Sequence, residues 1–167
     1  MKALKIEVDT EPVQTQCDLY LFDPVQSERL RFLSLYDSFF VYDKDKSYSG
    51  FVGVNIDRVK LVSVVSDLRF NGIASASVPI KYKDRQNIEK ETAVDIATKY
   101  ALTRLGASGV NASNRSKVSP VVWMFEVKYE RDPYGAAGGV VMVDRVDGHV
   151  WSQSEYEEYQ YDYNNVF

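Results

Sequence analysis

The sequence predicts an α+β protein, in which one main helix over residues 87–106 packs on an antiparallel β-sheet. Two observations lead to this prediction. A stretch with apolar residues at helical spacing is followed by a strand-like alternation, and then by two valine-rich segments around an Asp-Gly turn. The N-terminal half is predicted to be rich in strands, because short apolar alternations are separated there by turn residues.

The predicted main helix begins near Asn87, a residue type that often caps helices, and ends at Gly106. Acidic residues in its first turns and basic residues near its end complement the helix dipole. Its apolar positions form one stripe: Ala93, Ile96, Ala97, Tyr100, Ala101 and Leu105. Because alanine is small, we expect this helix to lie close to a sheet.

The sheet itself is predicted from the residues that follow the helix. Residues 107–119 are rich in Ser, Asn and Gly and predict an exposed loop, whereas 121–129 alternate apolar and polar side chains as a strand does. After a loop over 131–139, residues 140–143 and 149–151 flank Asp147-Gly148. This pattern predicts a β-hairpin.

The N-terminal half carries shorter and less regular signals. Strands are predicted at 4–8, 18–22 and 73–82, the second stopped by Asp23-Pro24 and the third confined to an edge or a strand end by Pro79. Residues 30–40 fit a helix or strands, and the aromatic segment 39–42 favours a strand. The valine-dense residues 51–65 predict a hairpin or a long bent strand, and Asn71-Gly72 predicts a turn.

The chain divides into three predicted parts. Residues 1–85 form the strand-rich half, 86–154 the helix-strand-hairpin unit, and 155–167 an acidic, tyrosine-rich tail. The polar segment 81–85 is the candidate boundary between the first two parts, which are also compatible with one shared domain.

Composition excludes several classes of protein. A net charge of -4 and a pI near 5.1 argue against binding to nucleic-acid phosphates and favour a basic protein as partner. No apolar run is long enough for a signal peptide or a membrane span. Cys17, the single cysteine, excludes an internal disulfide and is typical of a reducing compartment. We therefore expect a cytoplasmic protein that binds neither nucleic acid nor membrane.

No motif predicts catalysis, a cofactor or a metal site. His149 is the only histidine, and a metal or acid-base site would need a second ligand or catalytic group. The sequence has no other histidine and no second cysteine to supply one. The glycines at 135–139 lack a following Lys-Ser/Thr and introduce a strand, so they predict a structural loop and no phosphate site. Asp144 and Asp147 flank a turn, where aspartate commonly bonds to the backbone. The sequence thus predicts a protein that is not an enzyme.

The tail is the most unusual segment. Residues 155–163 contain four acidic residues, four tyrosines and no basic residue. They predict either a solvated end whose tyrosines pack back on the domain, or a surface that seats a basic protein, with carboxylates steering and tyrosines giving rigid contact area. The candidate partner-binding residues are Trp151, Tyr156, Glu157, Glu158, Tyr159, Tyr161 and Asp162.

Residues 87–151 resemble two families of known proteins. The resemblance lies in Ala-x-x-Ile-Ala at 93–97, the aromatic strand, the small residues at 135–139 and Val-x-Val-Asp-x-x-Asp-Gly-x-Val at 141–150. These features resemble PepSY-type domains and the immunity protein 35-like family of bacterial polymorphic-toxin systems. The match covers about 65 of the 167 residues.

The resemblance implies a protein that binds another protein and catalyses nothing. Immunity proteins of such families bind and block a cognate toxin. The acidic net charge and tail, outside this resemblance, favour a toxin with a basic surface, and a nuclease would fit. PepSY-type domains are usually secreted or membrane-attached, so the expected cytoplasmic location favours immunity. The alternative is a PepSY-like accessory or regulatory domain that binds a peptide or protease along a sheet edge.

Overall fold

The computed structural model describes residues 15–112, 119–130 and 139–166. These residues form two antiparallel sheets and several helices, which confirms the α+β class. The elements in chain order are β1 (Gln16–Gln26), a 3-10 helix (Ser27–Leu35), β2 (Ser47–Phe51), β3 (Ile56–Asp57), α1 (Arg58–Phe70), β4 (Ser75–Pro79), α2 (Lys81–Asp84), α3 (Lys90–Arg104), β5 (Gly109–Asn111), β6 (Val122–Lys128), β7 (Val140–Asp144), β8 (Val150–Trp151) and α4 (Gln153–Asn164). The strand predicted at 4–8 and the glycine-rich loop at 135–138 lie outside the described residues.

The first sheet is built around β1. Strand β4 pairs with one side of β1, and β2 and β3 pair with the other side. The strand continues past the predicted stop at Pro24, and its register with β2 shifts between Leu21 and Val25. Proline has no N–H to donate to a ladder, so it is accommodated in this irregularity.

A buried carboxylate fills the gap between β2 and β3. The Asp18 carboxylate accepts hydrogen bonds from the backbone N–H groups of Gly53 (3.0 Å) and Val54 (2.8 Å), and lies 3.1 Å from the Lys83 ammonium. Burial raises the pKa of Asp18, while these donors act in the opposite direction. The backbone donors that no strand pairs with are thereby satisfied.

The prediction of strands over residues 51–65 is wrong, because α1 begins at Arg58. The Asp57 carboxylate accepts a hydrogen bond from the Lys60 N–H at 3.1 Å and caps the helix. The residues that α1 buries lie at helical spacing: Leu61, Val64, Val65 and Leu68. Asn71-Gly72 forms the turn that follows it. The strand favoured at 39–42 is wrong as well, since those residues form no strand.

Helix α3 packs on the second sheet, whose strand order is β5-β6-β7-β8. It lies within the predicted 87–106, and its buried alanines, Ala93, Ala97 and Ala101, pack with Phe125 and Val141. Strands β7 and β8 pair across the predicted hairpin. Because α1 and α4, with 13 and 12 residues, are nearly as long as the 15-residue α3, the expectation of one main helix is not confirmed. The N-terminal half contains α1 and the 3-10 helix as well as strands, so the prediction of a strand-rich N-terminal half is not confirmed either.

Helix α4 covers the free edge of β4. The Ser77 N–H donates to the Asn164 side-chain oxygen at 2.7 Å, and the Tyr159 hydroxyl donates to the Ser77 carbonyl at 2.8 Å. A shared hydrophobic cluster, which includes Tyr82, Val122 and Tyr159, joins the two sheets. An edge strand covered in this way is protected from pairing with another chain. No helix in the described ranges combines the length and apolar character needed to cross a membrane.

Candidate functional site

The acidic tail folds into α4, and the sequence at its start explains where the helix begins. The Glu155 N–H donates to the Ser152 hydroxyl at 3.1 Å, and the Ser152 N–H donates to the Glu155 carboxylate at 2.7 Å. This reciprocal pair is a capping box, which satisfies N–H groups that the first helical turn leaves free. At the other end Asn165 takes the left-handed conformation that terminates many helices.

The inner face of α4 belongs to the protein core. Tyr159 is only 8% exposed and Asn164 only 2%, and both form hydrogen bonds with the backbone of Ser77 in β4. Burial raises the pKa of Tyr159, so its hydroxyl stays protonated and donates its hydrogen bond. Tyr159 is one of the predicted partner-binding residues, and the small part of its side chain that stays exposed faces a pocket beside α4.

The outer face of α4 is defined by Gln153, Tyr156, Glu157, Gln160 and Tyr161. Together with Val166 these residues line a shallow groove of about 440 Å³. The Tyr161 side chain is 56% exposed, and the Gln153 amide donates to the Glu157 carboxylate at 3.0 Å. Of the predicted partner-binding residues, Tyr156, Glu157 and Tyr161 therefore meet on one accessible face.

The other predicted partner-binding residues lie elsewhere on or beside the helix. The Asp162 carboxylate is 4.0 Å from the Arg58 guanidinium of α1, so it lies beside the chain's own cation. Trp151 is half-buried, and its indole N–H donates to the Asp144 carboxylate at 2.9 Å. Glu158 is exposed and, with Trp151, lines a pocket next to the helix.

This pocket, called the hairpin pocket here, has a volume of about 610 Å³. It lies between the end of β4, helix α2, the β7–β8 hairpin and α4. Tyr82, Trp151, Tyr159 and Tyr163 contribute aromatic surface to it, and Asp144, Glu155 and Glu158 contribute carboxylates. A concave, aromatic lining with a few polar groups is typical of a binding site.

Asp144 is the buried polar centre of the pocket wall, at 1% exposure. One carboxylate oxygen accepts hydrogen bonds from the Tyr82 hydroxyl at 2.6 Å and from Trp151, and the other from the backbone N–H groups of Val146 (2.8 Å) and Asp147 (3.1 Å). Burial and the Asp144 charge both raise the pKa of Tyr82. The sequence indicated the turn role of Asp144, but nothing in it pointed to Tyr82, which lies 62 residues away.

His149 links the hairpin to α4 at the mouth of the pocket. Its ring Nδ1 lies 2.6 Å from the Asp147 carboxylate and its Nε2 3.5 Å from the Glu155 carboxylate. The ring also stacks on Trp151, with 6.0 Å between the ring centroids. Asp144, Asp147 and His149 could offer metal-ligand atoms within 4.8 Å of one another, but each already bonds to the chain's own groups. We assign this cluster to hairpin structure.

Comparisons of the chain with protein-family models, with curated proteins and with solved structures found no match. The likeness of residues 87–151 to immunity and PepSY-type proteins therefore stays a prediction from sequence. The geometry and charge of α4 and of the hairpin pocket are the basis on which a function is assigned.

Proposed function

We propose that this chain is a bacterial immunity protein that neutralises a cognate toxin by binding it directly through the outer face of α4. One observation carries the proposal. The 12-residue helix has four carboxylates and no Lys or Arg, and the structure presents Glu157 beside the exposed Tyr161 and the half-buried Tyr156. Such a surface is complementary to a basic protein.

Charge and aromatic surface have separate roles in this binding. The carboxylates of α4 attract a positively charged partner over several ångströms and raise its association rate. The two tyrosines of the outer face then supply large contact areas with few rotatable bonds, so little entropy is lost on binding. Tyrosine is one of the residue types that most often dominate the binding energy of an interface.

The nature of the partner follows from the same charge argument. A nuclease toxin must present basic residues to hold nucleic-acid phosphates, and blocking that surface would also block its activity. The sequence resemblance of residues 87–151 to the immunity protein 35-like family supports a toxin as the partner, and the charge of α4 supports its basic character. The proposed place of action is the cytoplasm, where the lone, buried thiol of Cys17 stays reduced.

A PepSY-like role as a peptide-binding or protease-binding domain has less support. That mode would add a peptide strand to an exposed edge of the second sheet. The strands at the two edges of this sheet, β5 and β8, are three and two residues long, so an added strand would gain few backbone hydrogen bonds. The outer face of α4 instead carries a groove of about 440 Å³ that does not depend on strand pairing.

The proposal is tested by capture and growth rescue. The tagged full-length chain is purified from its source cells, and co-purifying proteins are identified by mass spectrometry, which also gives their stoichiometry. We expect one basic protein that stops growth when expressed alone and is harmless when this chain is co-expressed. The double variant Glu157→Lys, Tyr161→Ala should lose both capture and rescue.

A matched control separates the α4 surface from net charge. Asp95 is exposed on α3, so Asp95→Lys makes the same change of charge away from α4 and should keep full rescue. If the captured protein is not toxic, the immunity function is wrong. If the toxin is captured equally by the double variant, the outer face of α4 is not the docking surface.

A further inference from the structure

The hairpin pocket has an excess of negative charge. Asp144, Glu155 and Glu158 contribute carboxylates to its lining, against the one ammonium of Lys81. Asp144 is bonded by neutral donors and Glu155 by the capping box, whereas Glu158 has no hydrogen-bond or ion-pair partner within the described part of the chain. Carboxylates in a concave site reinforce one another's potential and attract cations.

The aromatic rings of this pocket already attract the chain's own cations. The Lys81 ammonium lies 5.1 Å from the centroid of the Tyr82 ring, and the Arg58 guanidinium carbon lies 5.5 Å from that of Tyr163. Both distances are within the range of a cation–π interaction. Rings and carboxylates together therefore match one kind of group, a cation with a flat or apolar body.

We propose that the hairpin pocket binds a single basic side chain, an arginine of the protein partner, as the anchor of the complex. The proposal rests on the proposed function, and it adds the specific contact that the outer face of α4 lacks. A volume of about 610 Å³ is ample for one arginine and the backbone on either side of it. A guanidinium stacks on tyrosine and tryptophan rings and donates two parallel hydrogen bonds to a carboxylate such as Glu158.

Neighbouring glutamates on α4 provide a matched pair for the test. Glu158 lines the hairpin pocket, whereas Glu157 lines the groove on the outer face. Both are exposed, so Glu158→Gln and Glu157→Gln remove the same charge from adjacent positions without emptying the core. A general attraction to the acidic helix would be weakened equally by the two changes.

The experiment uses the full chain and a small probe, N-acetyl-L-arginine amide. In a Trp123→Phe background, Trp151 is the only tryptophan, and its fluorescence reports on the pocket. We expect saturable binding, with the neutral citrulline analogue about tenfold weaker, since it has the shape but not the charge. Glu158→Gln should weaken binding about fivefold and Glu157→Gln less than about twofold.

Removing the resident cation should have the opposite effect. Lys81 lies on the pocket rim and competes with the probe for Tyr82 and the carboxylates. Lys81→Met should therefore tighten binding of the arginine amide about twofold to threefold. A residue with a purely structural role would not improve binding when replaced.

Should Trp123→Phe fail to fold, the indole N–H resonance of Trp151 in the wild-type chain gives the same readout.

Several results would overturn the proposal. These are no saturable response to the arginine amide, equal binding of the citrulline analogue, and equal effects of Glu157→Gln and Glu158→Gln. With the captured toxin, excess arginine amide should displace the partner. If it does not, while Glu157→Lys still abolishes capture, the pocket is not the anchor although the proposed function stands. The probe titration, which needs no partner, tests the pocket even if no toxin is found.

Discussion

Tyrosines lie on both faces of α4, but the two faces have different roles. Tyr159 on the inner face is buried and holds the edge of β4, whereas Tyr161, two residues along the helix, is largely exposed on the outer face. The adjacent glutamates Glu158 and Glu157 are both exposed, but they line the hairpin pocket and the outer groove respectively. The difference shows that the position of each residue around the helix decides whether it lies in the core or at the surface. The residues of such an acidic, tyrosine-rich segment therefore have to be tested one at a time.

The largest expected effect separates the two tyrosines by stability. Tyr159→Ala should lower the free energy of unfolding by about 3–5 kcal/mol, because it leaves a cavity between the two sheets. Tyr161→Ala should change it by less than about 1 kcal/mol. Urea unfolding followed by circular dichroism measures both. Equal losses for the two variants would mean that the two faces do not differ as described.

Asn164→Ala tests the second contact of the inner face. The Asn164 side chain accepts the Ser77 N–H at 2.7 Å, and both residues are buried. Losing the acceptor leaves a buried N–H unpaired, so stability should fall by about 1–3 kcal/mol. Asn165→Ala is the control, because it removes a side-chain amide at an exposed position. Asn165 has a left-handed backbone conformation, which alanine adopts less readily, so this control has a small destabilising effect of its own. An unchanged midpoint for Asn164→Ala would show that α4 does not satisfy the β4 edge.

Ser152→Ala tests how the start of α4 is fixed. The change removes one half of the capping box and should cost about 1 kcal/mol. Ser152→Asp keeps a capping oxygen and should restore most of that loss. Thermal unfolding compares the three proteins. If Ser152→Ala and Ser152→Asp are equally destabilised, the capping oxygen of Ser152 does not fix where α4 begins, and therefore does not determine which residues lie on each face.

The smallest expected effect is a pH dependence at the mouth of the hairpin pocket. Burial, the largest single influence on Asp147, would raise its pKa, but the hydrogen bonds and charge of His149 outweigh it and the net pKa is lowered from 3.8. The ionised Asp147 carboxylate therefore stabilises the folded state fully above pH 3.8. This stabilisation is lost as the pH falls through the lower pKa that Asp147 has in the folded state.

Asp147→Asn keeps an acceptor for the His149 N–H but removes this titration. Wild type should lose slightly more stability than Asp147→Asn between about pH 4 and pH 2.5. Urea midpoints at these two pH values measure the difference. Parallel loss of stability in the two proteins would show that the charge of the Asp147 carboxylate contributes nothing to folding.

The second half of the fold was predictable because its signals agree. The alanine stripe of α3, the alternation of β6 and the Asp147-Gly148 turn each specify one structure by local pattern, and all three are confirmed. In α1 the signals conflict. Valine favours strands, but the spacing of Leu61 and Leu68 and the cap from Asp57 favour a helix, and burial on one face decides for the helix.

The candidate site was predictable only in part. Local composition identified the acidic, aromatic character of the tail, and the structure places Tyr156, Glu157 and Tyr161 on one accessible face. The hairpin pocket depends on contacts between distant parts of the chain, such as Tyr82 with Asp144. Neither local periodicity nor a motif records such contacts, and the burial of Tyr159 follows from the position of β4.

The most direct test is the affinity of the captured partner for Glu157→Lys compared with Asp95→Lys, measured by isothermal titration calorimetry. Both variants gain the same charge, on the outer face of α4 and on α3 respectively. We predict that Glu157→Lys weakens binding at least about tenfold and Asp95→Lys less than about twofold. Equal affinities of the two variants would contradict the claim that this chain binds a basic protein through the outer face of α4.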